Sequence, residues 1–302
     1  MRIALYLPSS VPEFCANEAQ LRRLALLLAP HELAVANSEA ELIALLPRVS
    51  AAVVWAFRAE WYALAPSLEH VLTPSAGRES IALDPNGRAR AHFGTFHGQI
   101  MAESLLAMIA FTNRRLGAAL ADQARAHWDR SPYSGSRRLH GQTALLVGYG
   151  SIGKHCAALL RAVGMHVHGV RRQGSTEGLD RAFSLDELGD ALTLADHVVS
   201  LLPGGASGFF GEAEFARMKP SACFYNLGRG GTVDEAALLS ALATQRIAGA
   251  FLDVVATEPL PPESPLWRTP NLFLTPHASA ICVEYLDLYF EELAPLLHSL
   301  LG

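Results

Sequence analysis

Leu145-Leu146-Val147-Gly148-Tyr149-Gly150-Ser151-Ile152-Gly153 is the stretch on which the fold turns. An apolar run of strand type enters a G-x-G-x-x-G turn, and a helix-like pattern over residues 154–163 leaves it. In that setting the glycines permit a tight turn, close approach of backbone to a pyrophosphate, and packing of helix on strand. The next strand, expected over residues 166–170, should end in an acid that holds a ribose diol. The chain instead reads Arg171-Arg172. A carboxylate there would repel a 2′-phosphate, whereas guanidinium groups pair with it through charge-assisted bonds. A coenzyme of the NADP type is therefore expected in preference to NAD.

Outward from this turn, strand-like and helix-like pieces alternate along the whole chain. Before it, short apolar runs at 2–7, 33–36, 51–55 and 70–73 predict strands, and 17–29 and 38–46 carry helical periodicity. A long helix is predicted over 98–114, with Met101, Leu105, Met108 and Ile109 on one face; it is expected to cross between domains and to be buried. The polar stretch Ser131-Pro132-Tyr133-Ser134-Gly135-Ser136 predicts a loop. After it, strands are expected at 143–147, 166–170, 197–201, 223–226, 247–252 and 272–274. Helices are expected at 152–163, 185–192, 212–218 and 234–244, and a closing helix at 281–300. Such alternation implies parallel sheets flanked by helices. The expected fold is α/β, with two doubly wound parallel-sheet domains. A Rossmann nucleotide-binding domain, residues 101–275, is inserted into a flavodoxin-like substrate domain, residues 1–100 and 276–302.

Composition narrows the function classes. Of 302 residues, 50% are apolar and 18% charged, which describes a compact chain with a sizeable core. A net charge of −5 without a basic stripe argues against nucleic acid as a partner. Cys15, Cys156, Cys223 and Cys282 lie far apart, which disfavours a disulfide framework or a zinc site and suits a reducing cytoplasm. The first residues, 1–8, predict a short strand cut by Pro8 rather than a signal peptide, and no apolar run reaches membrane-spanning length. No metal is expected.

Three later segments carry the chemistry. They are Asn226-Leu227-Gly228-Arg229-Gly230-Gly231-Thr232-Val233-Asp234, Leu252-Asp253-Val254-Val255-Ala256-Thr257-Glu258-Pro259-Leu260 and Leu274-Thr275-Pro276-His277-Ala278-Ser279-Ala280. Each follows an expected strand, so each lands at the carboxyl edge of the sheet on the glycine turn's side. Together, in this order, they resemble the D-2-hydroxyacid dehydrogenase family, and most closely its glyoxylate and hydroxypyruvate reductases. The resemblance covers nearly the whole chain and is strongest over residues 139–280. It implies that Arg229 binds a substrate's carboxylate and carbonyl, that His277 is the general acid/base, and that Glu258 pairs with His277. It further implies that Asp253 bonds the nicotinamide carboxamide and that Leu202, Pro203, Leu227 and Gly228 flank the coenzyme beside Gly148, Gly150, Ser151, Ile152 and Gly153.

These residue types suit the reaction. Hydride arriving at a ketone carbon leaves charge on oxygen, which a proton must neutralise. Imidazole can give that proton near neutral pH and take it back in reverse, and an adjacent carboxylate favours its protonated form. A guanidinium keeps its charge and offers a planar fork that matches an α-keto carboxylate. The coenzyme carries the redox chemistry.

In the first domain, the resemblance implies that the backbone N–H groups of Ala76 and Gly77 cradle the substrate carboxylate. Trp55, Phe57 and Arg58 follow a strand on the same edge and are expected to set substrate size. Two departures from the family pattern stand out. His97 occupies a place where the family often has asparagine, and the loop Pro203-Gly204-Gly205-Ala206 is shorter than usual. The expected activity is reduction of small 2-keto acids by a homodimer associating through the nucleotide-binding domain. The alternatives are a phosphite- or formate-oxidising dehydrogenase and a dinucleotide-sensing corepressor. Formate-oxidising relatives usually carry glutamine where Glu258 stands, and corepressors usually carry extra tails.

Overall fold

A computed structural model describes residues 1–301 and divides the chain into two compact units, Met1–His97 with the segment from Ile281 onward, and Gly98–Ala280. The first unit is built on β1 (Arg2–Tyr6), α1 (Glu18–Leu27), β2 (Glu32–Val35), α2 (Glu39–Leu45), β3 (Ala51–Val54), α3 (Trp61–Leu64), β4 (His70–Thr73) and β5 (Arg90–Phe93), with a closing helix, Tyr285–Leu301. Its five strands are all parallel in the order β2-β1-β3-β4-β5, the flavodoxin-like arrangement. Helix α1 starts where Asn17 and Gln20 form a capping box, and α2 where the Ser38 hydroxyl accepts the Glu41 amide. The closing helix buries Tyr285, Leu286, Tyr289, Phe290, Leu293 and Leu297, a stripe at helical spacing. Arg23, bonded to Glu291 at 2.9 Å, ties that helix to α1.

The second unit runs through α4 (Gly98–Asn113), α5 (Leu116–Ala124), β6 (Thr143–Val147), α6 (Ser151–Ala162), β7 (His166–Val170), β8 (Arg181–Phe183), α7 (Leu188–Leu194) and β9 (His197–Ser200). It continues through α8 (Glu212–Arg217), β10 (Cys223–Asn226), α9 (Glu235–Ala243), β11 (Gly249–Leu252) and β12 (Leu272–Leu274). Its seven-stranded parallel sheet is ordered β12-β11-β10-β9-β6-β7-β8, so the direction of winding reverses between β6 and β9. Dinucleotides bind at such a switch point, outside the carboxyl ends of the strands. The last residues of neighbouring strands stand in register: Val147 opposite Ser200, Ser200 opposite Asn226, Asn226 opposite Leu252, and Leu252 opposite Leu274. The loops that follow these strands therefore leave the sheet along one edge.

Cores lie on both faces of this sheet. On one, Met101, Leu105, Met108 and Ile109 of α4 pack with Cys156, Ala157 and Leu160 of α6. Gly98 allows this approach, because a Cβ there would lie 2.3 Å from His155 Nδ1. The opposite edge of the sheet holds a buried polar group. His197 Nε2 lies 2.6 Å from Gln142 Oε1 and Nδ1 lies 3.0 Å from the Tyr225 hydroxyl, while Asn113 Nδ2 donates to the same Gln142 oxygen at 2.8 Å. Burial brings the His197 pKa down to about 4, so the ring is neutral near pH 7.

Some elements differ from the expectation. Strands β5 and β8, Arg-Ala-His-Phe and Arg-Ala-Phe, are not among the expected strands because neither is a continuous apolar run; each is a sheet edge with one strand neighbour. Helix α5 follows Arg115 in the left-handed region, φ 56°, a break that separates it from α4. Residues 276–280, expected with the first domain, belong to the second unit, where the buried Asp253 carboxylate accepts the Ala278 and Ser279 amides.

Candidate active site

The glycine turn has the shape a pyrophosphate requires. Gly148 sits at φ 99°, where a Cβ would approach the Leu201 carbonyl to 2.9 Å. Gly150 precedes α6, and a Cβ there would meet nothing within 4 Å, so the space before Ser151 and Ile152 is open. No side chain caps the first turn of α6, which leaves its N–H groups for an anion. Gly153 is buried against the Tyr149 ring, bringing helix to strand. These residues fit a dinucleotide.

Tyr149 ties the turn to the loop after β7. Its hydroxyl donates to the Glu177 carbonyl, and burial holds the phenol above its ordinary range, so the group stays a donor. Arg171 lies over the Tyr149 ring at 5.8 Å and donates to the Gln173 carbonyl at 2.6 Å and to the Ser175 carbonyl. Arg172 is exposed. One of the two arginines expected at a 2′-phosphate thus also organises its own loop.

The loop after β10 shows why Asn226 stands three residues before Arg229. Its buried side chain donates from Nδ2 to the Arg229 carbonyl at 3.1 Å and accepts the Gly228 amide on Oδ1 at 3.1 Å. Thr232 Oγ1 donates to the same Arg229 carbonyl at 2.6 Å. The Arg229 guanidinium donates to the Gly228 carbonyl at 3.0 Å. Glycines flank it because backbone approaches on both sides. A Cβ on Gly228 would lie 2.4 Å from the Leu202 oxygen, and one on Gly230 would lie 1.9 Å from the Val255 oxygen. The loops after β9, β10 and β11 are thereby in backbone contact, Leu202 and Leu227 among them.

Glu258 and His277 meet directly. His277 Nδ1 lies 2.8 Å from Glu258 Oε2, and the other carboxylate oxygen accepts the Val255 amide at 3.1 Å. A carboxylate only accepts, so the bond places a proton on Nδ1 and leaves Nε2 as the atom that can give or take one. The His277 side chain is 51% exposed and therefore open to a reactant. Its backbone adopts φ 53°, which costs a non-glycine residue on the order of 1 kcal/mol. Asp253 imposes this conformation. The His277 amide donates to the Asp253 carbonyl at 2.8 Å, while the Asp253 carboxylate accepts Thr275 Oγ1 at 2.7 Å and the amides of Ala278 and Ser279. Expected at the nicotinamide carboxamide, Asp253 is 1% exposed and anchors the histidine loop. Sequence reading had no signal for this second task.

Residues expected to meet substrate in the first unit are differently employed. Arg58 forks onto Glu39, both bonds 2.8 Å, and lies over the Trp61 ring. Phe57, expected to set substrate size, is instead core, 1% exposed and packed on Trp61 and Tyr62. Trp55 lies 5.2 Å from Phe14 and 6.1 Å from Tyr285, with its indole N–H buried and without a hydrogen-bond partner. The Gly77 amide donates to Ser75 Oγ at 3.1 Å within the loop, and Ala76 is exposed. His97 is buried, bonded through Nε2 to the Tyr285 hydroxyl at 3.0 Å. Among the described residues no cluster of His, Cys, Asp and Glu could hold a metal ion, and no helix is long and apolar enough to cross a membrane.

A glycine turn at the switch point of a parallel sheet, with an acid–imidazole pair on the same edge, defines a nicotinamide-dinucleotide oxidoreductase. The chain belongs to the D-isomer specific 2-hydroxyacid dehydrogenases, whose NAD-binding domain model matches residues 106–279. It is 32% identical over 235 residues to the D-3-phosphoglycerate dehydrogenase of Mycobacterium bovis, covering 76% of this chain and 44% of that enzyme. The chain therefore spans less than half of the curated relative it matches there. It is 34% identical to glyoxylate/hydroxypyruvate reductase B of Klebsiella pneumoniae over 224 residues, 70% of this chain and 68% of that one. Among solved structures, a D-isomer specific 2-hydroxyacid dehydrogenase family protein of Aeromonas salmonicida superposes with TM-score 0.81 at 30% identity, covering 99% of this chain and 93% of that one. An NADPH-dependent glyoxylate/hydroxypyruvate reductase of Sinorhizobium meliloti, solved with NADP and sulfate, superposes with TM-score 0.80 at 26% identity, covering 99% and 95%.

Proposed function

We propose that this chain reduces small 2-keto acids, such as glyoxylate or hydroxypyruvate, to D-2-hydroxy acids, with NADPH preferred over NADH. The observation that carries the reading is the His277–Glu258 bond at 2.8 Å, which leaves Nε2 as the proton-transfer atom. The nicotinamide, when bound, supplies the hydride. His277 gives its Nε2 proton to the carbonyl oxygen as the C–H bond forms, and the alcohol leaves neutral. Glu258 holds the ring and stabilises the imidazolium that the reverse direction produces. Arg229 grips the keto acid's carboxylate and polarises its carbonyl. Gly148, Gly150, Ser151, Ile152 and Gly153 hold the pyrophosphate, with Leu202, Pro203, Leu227 and Gly228 beside the nicotinamide half. Asp253 would stand on the carboxamide side, and Arg172 and Arg171 would take the 2′-phosphate.

The exposed Leu116, Leu120 and Trp128 of the second unit support a homodimer formed through that unit, which light scattering on a sizing column would weigh directly. Four free cysteines favour a cytoplasmic setting. A carboxylate at position 258 suits proton shuttling better than formate oxidation, in which no oxygen needs a proton.

The test is a panel of 2-keto acids with NADPH and NADH, read as loss of reduced-coenzyme absorbance. Turnover on a short keto acid supports the reading, and His277→Ala should then abolish turnover while leaving NADPH binding nearly intact. Tight coenzyme binding with no turnover on any substrate would favour the corepressor alternative, and coenzyme reduction by phosphite would favour a phosphite-oxidising dehydrogenase.

A further inference from the structure

We infer that Glu235 is a positioning residue for the acid–imidazole pair, acting through the Ala256 amide, an assignment that rests on the function proposed above. Glu235 opens α9, yet it does not cap that helix. Asp234 does so, its Oδ1 accepting the amides of Ala236 and Ala237 at 3.0 and 3.1 Å. The Glu235 carboxylate reaches out of the helix instead, and its Oε1 accepts the Ala256 amide at 2.7 Å, the length of a charge-assisted bond. Its place in the first turn of α9 favours the negative charge.

The peptide it grips is held from the other side as well. Gly230 lies so close that a Cβ would be 1.9 Å from the Val255 oxygen and 2.6 Å from the Ala256 nitrogen. The 255–256 peptide is thus fixed between Gly230 and Glu235. The neighbouring amide, Val255 N–H, donates to Glu258 Oε1 and so sets the carboxylate whose Oε2 bonds His277. The chain of contact runs from Glu235 to the Ala256 amide, to the turn carrying Glu258, and to the ring of His277. Because Gly230 adjoins Arg229, the same staple fixes the arginine loop against the glutamate turn. A carboxylate one residue past a helix cap would otherwise be an exposed acid of no consequence. Here it spans two loops that must agree in position, and an error of about 1 Å in such an arrangement costs about 100-fold in rate.

The experiment compares wild type with Glu235→Ala, Glu235→Gln and Asp234→Ala, each checked for folding by thermal melting. Glu235→Ala should lower kcat about 10- to 100-fold with coenzyme affinity altered less than about threefold, and Glu235→Gln, which keeps an acceptor oxygen, should restore most of it. Asp234→Ala loosens α9 without touching the Ala256 amide and should leave kcat within about threefold of wild type. A second readout needs no turnover: with ¹⁵N-labelled histidine, the hydrogen-bonded Nδ1 proton of His277 should be visible in the free wild-type protein, lost in Glu235→Ala and retained in Glu235→Gln. Wild-type kcat and an intact Nδ1 resonance in Glu235→Ala would overturn the assignment, as would equal losses in Asp234→Ala. Absence of wild-type turnover on every keto acid would sink the proposed reaction alone, and the resonance would still decide the role of Glu235.

Discussion

Acid should weaken the second unit well before its carboxylates titrate, and His197 should be the main cause. Its ring is enclosed by Gln142 and Tyr225, and burial lowers its pKa from 6.5 to about 4. Asp196 opposes that shift, while Arg137 and Lys219 reinforce it. Above pH 6.5 the ring is neutral whether the chain is folded or not, so its hydrogen bonds contribute in full. Between 6.5 and about 4 the unfolded chain takes up the proton more readily, so stability falls as pH falls; below about 4 the loss is complete. At about 1.4 kcal/mol per tenfold difference in proton affinity, the total is roughly 3 kcal/mol, of which roughly 2 kcal/mol is already lost at pH 5. The comparison is His197→Gln, whose amide can still donate to Gln142 and accept from Tyr225 but cannot titrate. Native-state hydrogen exchange of amides in β9 and β10 reads this unit alone, which matters in a chain of two units. The wild type should lose about 2 kcal/mol more than the variant between pH 7.5 and 5. Parallel profiles would refute the reasoning, because a ring that charges without loss cannot be as enclosed as these contacts make it.

Gly230→Ala should cost roughly 1–3 kcal/mol and most of the turnover, since the new Cβ must displace the Val255 carbonyl; denaturant melting together with kcat checks both. Asp253→Ala should free the 275–279 loop from its anchor, destabilising the unit by about 2–4 kcal/mol and raising proteolysis at that loop, seen by limited digestion and melting. Arg172→Ala should raise the Kd for NADPH about tenfold while leaving NADH within about twofold, measured by coenzyme fluorescence; equal effects on both would remove it from the 2′-phosphate.

What the chain reveals before folding is its interior. The runs Thr143–Val147, His166–Val170 and Cys223–Asn226 are strands as expected; the first is apolar from Ala144 onward, as a central parallel strand buried on both faces should be, and stops at Gly148. Edges were hidden for the opposite reason: Arg181–Phe183 needs only one neighbour and exposes two of its three residues. Positions beyond strand ends put His277 and Glu258 on one edge of the sheet, but their pairing was expected only from the family resemblance. Arg58 was misleading, since nothing in its own surroundings shows that Glu39 folds back to claim its guanidinium. Glu235 and the second task of Asp253 were invisible, because both act on backbone amides and an amide leaves no mark on the sequence.

The register of the sheet explains why so few residues suffice to place the chemistry. Val147, Ser200, Asn226, Leu252 and Leu274 form a row across strands β6, β9, β10, β11 and β12. Arg229 and His277 each lie three residues beyond a member of that row, too short a reach for either loop to wander far. Glu258 lies farther out, and its loop is the one that needs extra ties, from Gly230, Val255 and Glu235. A one-residue slip of β11 would send alternate side chains to the opposite face, burying Val254 where Asp253 now anchors the histidine loop. The same pairings that close the core therefore also set the bond between His277 and Glu258, and a change that loosens one should be felt in the other.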